Sequence, residues 1–400
     1  MNGPSGKLDT TSATELHLAS STQRVPELDG LRGLAILLVI ICHYIADATH
    51  ARLGFLGDHL LTILGVGWSG VDLFFVLSGF LIGGILLESR ESPDYFRTFY
   101  LRRVHRILPV YYLWIVLYIA FVCVAVYVLP RPVVLMPPGK ALAQLDLTPF
   151  PKYFLFLQNI FYSPRVFEWM WFVVTWSLAV EEQFYLVAPP LVRFLSRRTL
   201  IRVLTLTVCL APFLRWYCFR YLPQLDHFYQ FGMPCRADAL SLGILAAIGW
   251  RWAPFQKFLH DHPAVLQRVV IYLGVVLIGL LWWLARPANT VMVTVGYSVL
   301  AFFFAALLLL VLSQTASFPA PLMRATWLRK LGTISYCVYI IHLAFNQALH
   351  RFLLHAEPSI AHWRGLLLTL SALGLTLLTA AISWKYFEKP LIRRGHRFVY

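Results

Sequence analysis

The chain has 400 residues, 59% of them hydrophobic and only 13% charged, about half the charged share of an ordinary soluble domain. That balance excludes a soluble globular fold and predicts an all-α, polytopic membrane protein. The net charge of +15 reads as basic loops gathered on one side of a bilayer, not as a nucleic-acid surface.

Residues 1–26 are polar and rich in Ser and Thr, without the apolar core of a signal peptide, and read as a disordered cytoplasmic tail. Apolar runs long enough to span about 30 Å of hydrocarbon then recur near 31–48, 67–87, 107–129, 169–192, 200–219, 236–250, 268–285, 291–312, 332–352 and 364–386. The expected organisation is therefore a domain of about ten transmembrane helices over 27–392, with a short cytoplasmic tail at 393–400. An even number of crossings puts both termini on one face. That face collects 23 of the 34 Lys and Arg residues, so the positive-inside rule makes both termini cytoplasmic in a multi-pass plasma (inner) membrane protein. The long outer connection, 130–168, is rich in Pro and aromatic residues and is expected to fold back over the external mouth. The six cysteines show no CxxC or metal-ligand spacing, and no metal is expected. Most read as small buried hydrophobes, with Cys218 and Cys235 near enough to an outer loop to pair.

The first run, ELDGLRGLAILLVIICHYIADA, holds Arg32 and His43 in otherwise apolar company. Their separation corresponds to roughly three helical turns and about 16 Å of rise, which points both side chains the same way. Such groups are costly in lipid and mark a site. In the second run Asp72 stands alone at the depth of His43, where a carboxylate could orient the imidazole for general-base or nucleophilic work. A structural ion pair is the alternative. Ser78, Gly79, Gly83 and Gly84 follow as close-packing positions, Ser78 also as a cavity residue.

At the inner end of the third run, Arg103 and Arg106 share a helix face, and guanidinium forks suit phosphates. The fourth run carries Glu181 and Glu182, one expected to meet a buried arginine and the other to line the cavity. Arg236 and Asp238 open the sixth run, either as cavity residues or as each other's partners. His342 lies in the ninth as a second cavity residue or a core histidine.

Taken in order, R-x10-H at Arg32–His43, GVDLFFVLSGFLI at 70–82, RxxR at Arg103–Arg106, WSLAVEEQFYL at 176–186, RADAL-x2-G at 236–243, ISYCVYIIH at 334–342 and FEKP at 387–390 resemble the membrane-bound acyltransferase family 3. The resemblance implies transfer of an acyl group, often acetyl, from cytoplasmic acyl-CoA to a hydroxyl of an extracytoplasmic or lipid-linked glycan. A secreted natural product such as a macrolide is the alternative acceptor. It further implies catalytic roles for His43 and Asp72, donor phosphates on Arg32, Arg103 and Arg106, and a substrate cavity near Ser78, Glu181, Glu182, Arg236 and His342. Many relatives bear an appended esterase-like domain, and this chain is expected to act as the single-domain type. A proton-coupled transporter using His43, Asp72 and Glu181 as a relay is the rival from another class, although no inverted repeat is visible.

Overall fold

The fold is taken from a computed structural model, which describes residues 25–49, 54–127, 150–161, 170–225, 227–284 and 290–400. Among them every regular element is helical. The principal helices are α1 (Pro26–Ile41), α2 (Gly54–Gly65), α3 (Gly70–Glu88), α4 (Tyr95–Tyr127), α5 (Thr175–Phe194), α6 (Arg197–Tyr221), α7 (Met233–Trp250), α8 (Pro263–Leu284), α9 (Tyr297–Ser313), α10 (Thr326–Leu354), α11 (Trp363–Ser383) and α12 (Lys389–Gly395).

Over their described residues, the ten apolar runs fall largely on helices. Seven helical segments among the described residues are long and apolar enough to cross a membrane: Pro26–Ala46, Leu56–Glu88, Arg197–Tyr221, Phe228–Trp250, Pro263–Leu280, Met292–Ser313 and Trp363–Gly395. The helices α5 and α10 are long enough but too polar, because they carry Glu181 and Glu182, and His342, Asn346 and Gln347. Their polar side chains turn inward instead of facing lipid, as the bilayer demands. Some helices lie outside the ten runs. The connection after the first run folds as α2, and the one after the sixth as Ala253–Asp261.

Close approach of backbones sets the arrangement. A Cβ on Gly79 of α3 would lie 2.0 Å from the carbonyl oxygen of Leu240, and one on Gly243 of α7 would lie 2.3 Å from that of Val76. With no apolar solvent penalty to drive helices together in lipid, small residues let the two backbones meet. Gly79→Ala should therefore force the seam apart at about 1–3 kcal/mol, the usual range for overpacking. A lower unfolding temperature of the detergent-solubilised protein is the expected reading.

Of the long outer connection, residues 130–149 and 162–168 lie outside the described residues, as do 1–24 of the amino-terminal tail. The segment between them does fold back. The Tyr111 hydroxyl donates to the carbonyl of Tyr153 at 2.9 Å, and Gln158 Nε2 donates to that of Thr175 at 2.9 Å, which docks the segment on α4 and α5. At the opposite end the carboxyl-terminal residues are tied down. Arg102 donates to the Phe398 carbonyl at 2.7 Å and lies over the Tyr400 ring. Cys218 and Cys235 are both free thiols, so the alternative of a pair between them is not realised. Each is buried among helices, where a thiol packs as a small apolar group.

Candidate active site

Two cavities sit back to back inside the bundle. The inner one, of about 180 Å³, is lined by Arg32, Arg103 and Arg106 together with Ser78, Glu181, Tyr185 and Tyr336. The three arginines come from α1 and α4, which brings the expected cationic rim together. Arg103 Nε is buried without a hydrogen-bond partner, a donor in place for an anion. Ser78 Oγ donates to Glu181 Oε1 at 2.9 Å, and the Tyr185 hydroxyl donates to Glu181 Oε2 at 2.9 Å. Glu181 thus faces the cavity. Glu182 does not line it, and its Oε1 is buried without a hydrogen-bond partner.

The outer cavity, of about 510 Å³, is lined by Cys42, His43, Asp47, Trp176, Gln230, Arg236, Tyr297 and Tyr339. His43 is the second residue of a π-helical turn, Cys42–Ala46, that continues α1. Arg32 lines the inner cavity and His43 the outer one. The two cavities share Val71 and Tyr339 as lining residues.

His43 Nδ1 lies 3.0 Å from Nε2 of His342. The other nitrogen of His342 sits 2.8 Å from the carbonyl oxygen of Tyr339 and 3.2 Å from that of Val338. Carbonyl oxygens only accept, so His342 Nδ1 must carry the hydrogen and its Nε2 must be a lone pair. That lone pair in turn requires His43 to carry its hydrogen on Nδ1. The remaining nitrogen, His43 Nε2, is left basic on a side chain that is 23% exposed. The nearest carboxylate oxygen, Asp47 Oδ2, is 4.0 Å from it, beyond hydrogen-bond range. His342 itself is fully buried, and its carbonyl accepts the Tyr44 hydroxyl at 2.7 Å.

Asp72 does not orient the imidazole. Its Oδ1 accepts Arg236 Nη2 at 2.5 Å in a pair almost wholly inaccessible to solvent. The reason is rotational. Asp72, Val76, Gly79 and Gly83 recur at helical spacing, so the face that meets α7 through Gly79 also carries Asp72. On α7 the matching stripe is Arg236, Leu240 and Gly243. The direction of the Asp72 side chain is set by this seam. Nor do Arg236 and Asp238 satisfy each other. Asp238 accepts from Arg215 at 2.9 Å and from Ser298 at 2.6 Å, while the Arg236 guanidinium lies 4.1 Å from the Tyr297 ring centroid.

Sequence reasoning missed Arg215, Tyr185, Tyr339 and the partnership of the two histidines. Arg215 had a signal, since a cation inside the fifth run needs a partner. Tyr339 had a weaker one, lying three residues before His342 and so on the same helix face.

Residues 25–385 match the family model described as an acyltransferase domain. The chain is 28% identical over 396 residues to the peptidoglycan O-acetyltransferase OatA of Listeria monocytogenes, covering 94% of this chain and 57% of that protein. It is 24% identical over 402 residues to the O-acetyltransferase OatA of Staphylococcus aureus, covering 98% of this chain and 61% of that protein. It therefore spans about three-fifths of the length of these relatives. No solved structure gives a significant match.

Proposed function

We propose that this chain, which belongs to the membrane acyltransferase family whose domain model it matches, moves an acetyl group from acyl-CoA on the cytoplasmic side to a glycan hydroxyl on the other. The observation that carries this reading is the histidine pair, which leaves His43 Nε2 as an unprotonated base in a cavity wide enough for an acceptor. In this reading both termini are cytoplasmic and the protein sits in the plasma membrane. The acceptor is a glycan, and the names of the relatives make peptidoglycan its first candidate.

Arg103, Arg106 and Arg32 hold the donor's phosphates at the inner mouth. The inner cavity, of about 180 Å³, suits the thin thioester arm better than the bulky nucleotide. The adenine nucleotide accordingly rests on the arginines outside while the arm threads inward. The acceptor enters the outer cavity. His43 Nε2 takes the hydroxyl proton as the oxygen attacks the thioester carbonyl carbon, the carbon–sulfur bond breaks, and the imidazolium returns the proton to the departing thiolate. His342 keeps accepting the Nδ1 hydrogen throughout, so the ring stays aimed. No metal enters this scheme.

Two measurements test the reading. Reconstituted protein should consume acetyl-CoA only with a glycan acceptor, with the acetyl ester recovered on the sugar by mass spectrometry. Flux of an intact solute without thioester consumption would instead establish the transporter. Arg103→Gln should raise KM for acyl-CoA by roughly 10–100-fold, the worth of one charged hydrogen bond, with kcat much less affected.

A further inference from the structure

We propose that Tyr339 is the gate between the two cavities, and that its position governs which acyl groups reach His43. The placement of the donor below it rests on the function proposed above.

Val71 and Tyr339 are the residues common to both linings, so they form the wall a thioester must pass. Tyr339 is held from both sides of that wall. Its hydroxyl lies 2.7 Å from Ser177 Oγ, an inner-cavity residue, and 2.9 Å from the carbonyl oxygen of Val174, an outer-cavity residue. Its ring faces Phe74 with centroids 6.1 Å apart. Breaking two hydroxyl contacts and turning the side chain opens the wall without moving the backbone. That matters because the Tyr339 backbone carbonyl is one of the two that fix the tautomer of His342. The latch and the catalytic pair thus share one residue but not one set of atoms, and the side chain can swing while the histidines keep their alignment.

A closed wall keeps the thioester carbonyl out of the wider, acceptor-facing cavity until the arm is seated. A ring that must tilt aside, rather than vanish, leaves a slot that admits a small acyl group and obstructs a long one. Tyr339 is on this view a positioning residue for the donor and a determinant of acyl length.

The test uses the full chain in proteoliposomes with Cys42, an outer-cavity residue, as the sole cysteine. A small anionic, membrane-impermeant methanethiosulfonate reagent is added on the side of the membrane that Arg103 faces. In the otherwise unaltered protein Cys42 should react slowly from that side, and Tyr339→Ala should raise the rate by tenfold or more. Tyr339→Phe, which removes only the hydroxyl contacts, should give an intermediate increase. Labelling from the opposite side should be unchanged, which also shows that the variants are folded. Val71→Ala opens the same wall independently and should raise the inner-side rate in the same way. In parallel, Tyr339→Ala should increase octanoyl relative to acetyl transfer by tenfold or more, together with uncoupled thioester hydrolysis. Equal inner-side labelling in all variants, or unchanged acyl selectivity with an opened wall, would overturn the proposal. The labelling involves no thioester, so it stands or falls apart from the identity of the donor.

Discussion

Substituting alanine for His43 should cut acyl transfer by about 10³-fold or more, within the range that general acid–base catalysis contributes, while thioester binding at the arginines persists. The informative companion is His342→Phe. That change keeps a ring in the buried site but removes the lone pair that accepts from His43 Nδ1. With that acceptor gone, the hydrogen is held on Nδ1 less firmly and can occupy Nε2, which takes the base from the cavity side. The expected loss is about 10²-fold in kcat with KM little changed, since no substrate contact has been removed. Single-turnover experiments stopped by acid should show no acyl-imidazole on His43. Its accumulation would replace the general-base role with a covalent one. An unaltered kcat in His342→Phe would mean that the histidine contact is packing alone.

The second large effect concerns stability. Asp72→Ala leaves the Arg236 guanidinium charged and uncompensated at a position only 2% exposed, and breaking a buried pair on one side costs about 3–5 kcal/mol. The variant should be recovered in low yield, with a markedly lower unfolding temperature in detergent. The double change Asp72→Leu with Arg236→Leu should regain most of that stability, because replacing both partners of a buried pair by apolar groups is often neutral. Its activity should stay low, because Arg236 lines the cavity that holds His43. Had Asp72 been the group that orients His43, its replacement would depress catalysis and leave folding largely intact. Thermal unfolding and turnover measured on the same preparations separate the two cases.

The class of the molecule and most of its helices were legible because the bilayer enforces length and apolar composition strictly. The inner arginine cluster was legible for a related reason, since three cations near one mouth have few placements available. What the linear pattern could not supply was rotation about each helix axis. Asp72 was a candidate partner for His43, yet the glycine seam turns it toward Arg236. Arg32 and His43 belong to one apolar run, yet they line different cavities. The pairing of His43 with His342 bridges 299 positions, and no local spacing encodes a contact of that kind.

The ionic pairs between α3, α6 and α7 also bear on how the chain enters the bilayer during synthesis. On translocon scales a central Asp or Arg costs about 2.5–3.5 kcal/mol, and each Leu, Ile, Phe or Val returns about 0.3–0.6 kcal/mol. The 12 such residues of α3 can carry Asp72 into lipid unaided, whereas the five of α7 cannot offset Arg236 and Asp238 together. On these values α7 is expected to enter lipid only as it docks on segments already in place. Asp72 of α3, the partner of Arg236 in the folded protein, is the counter-ion expected to receive it.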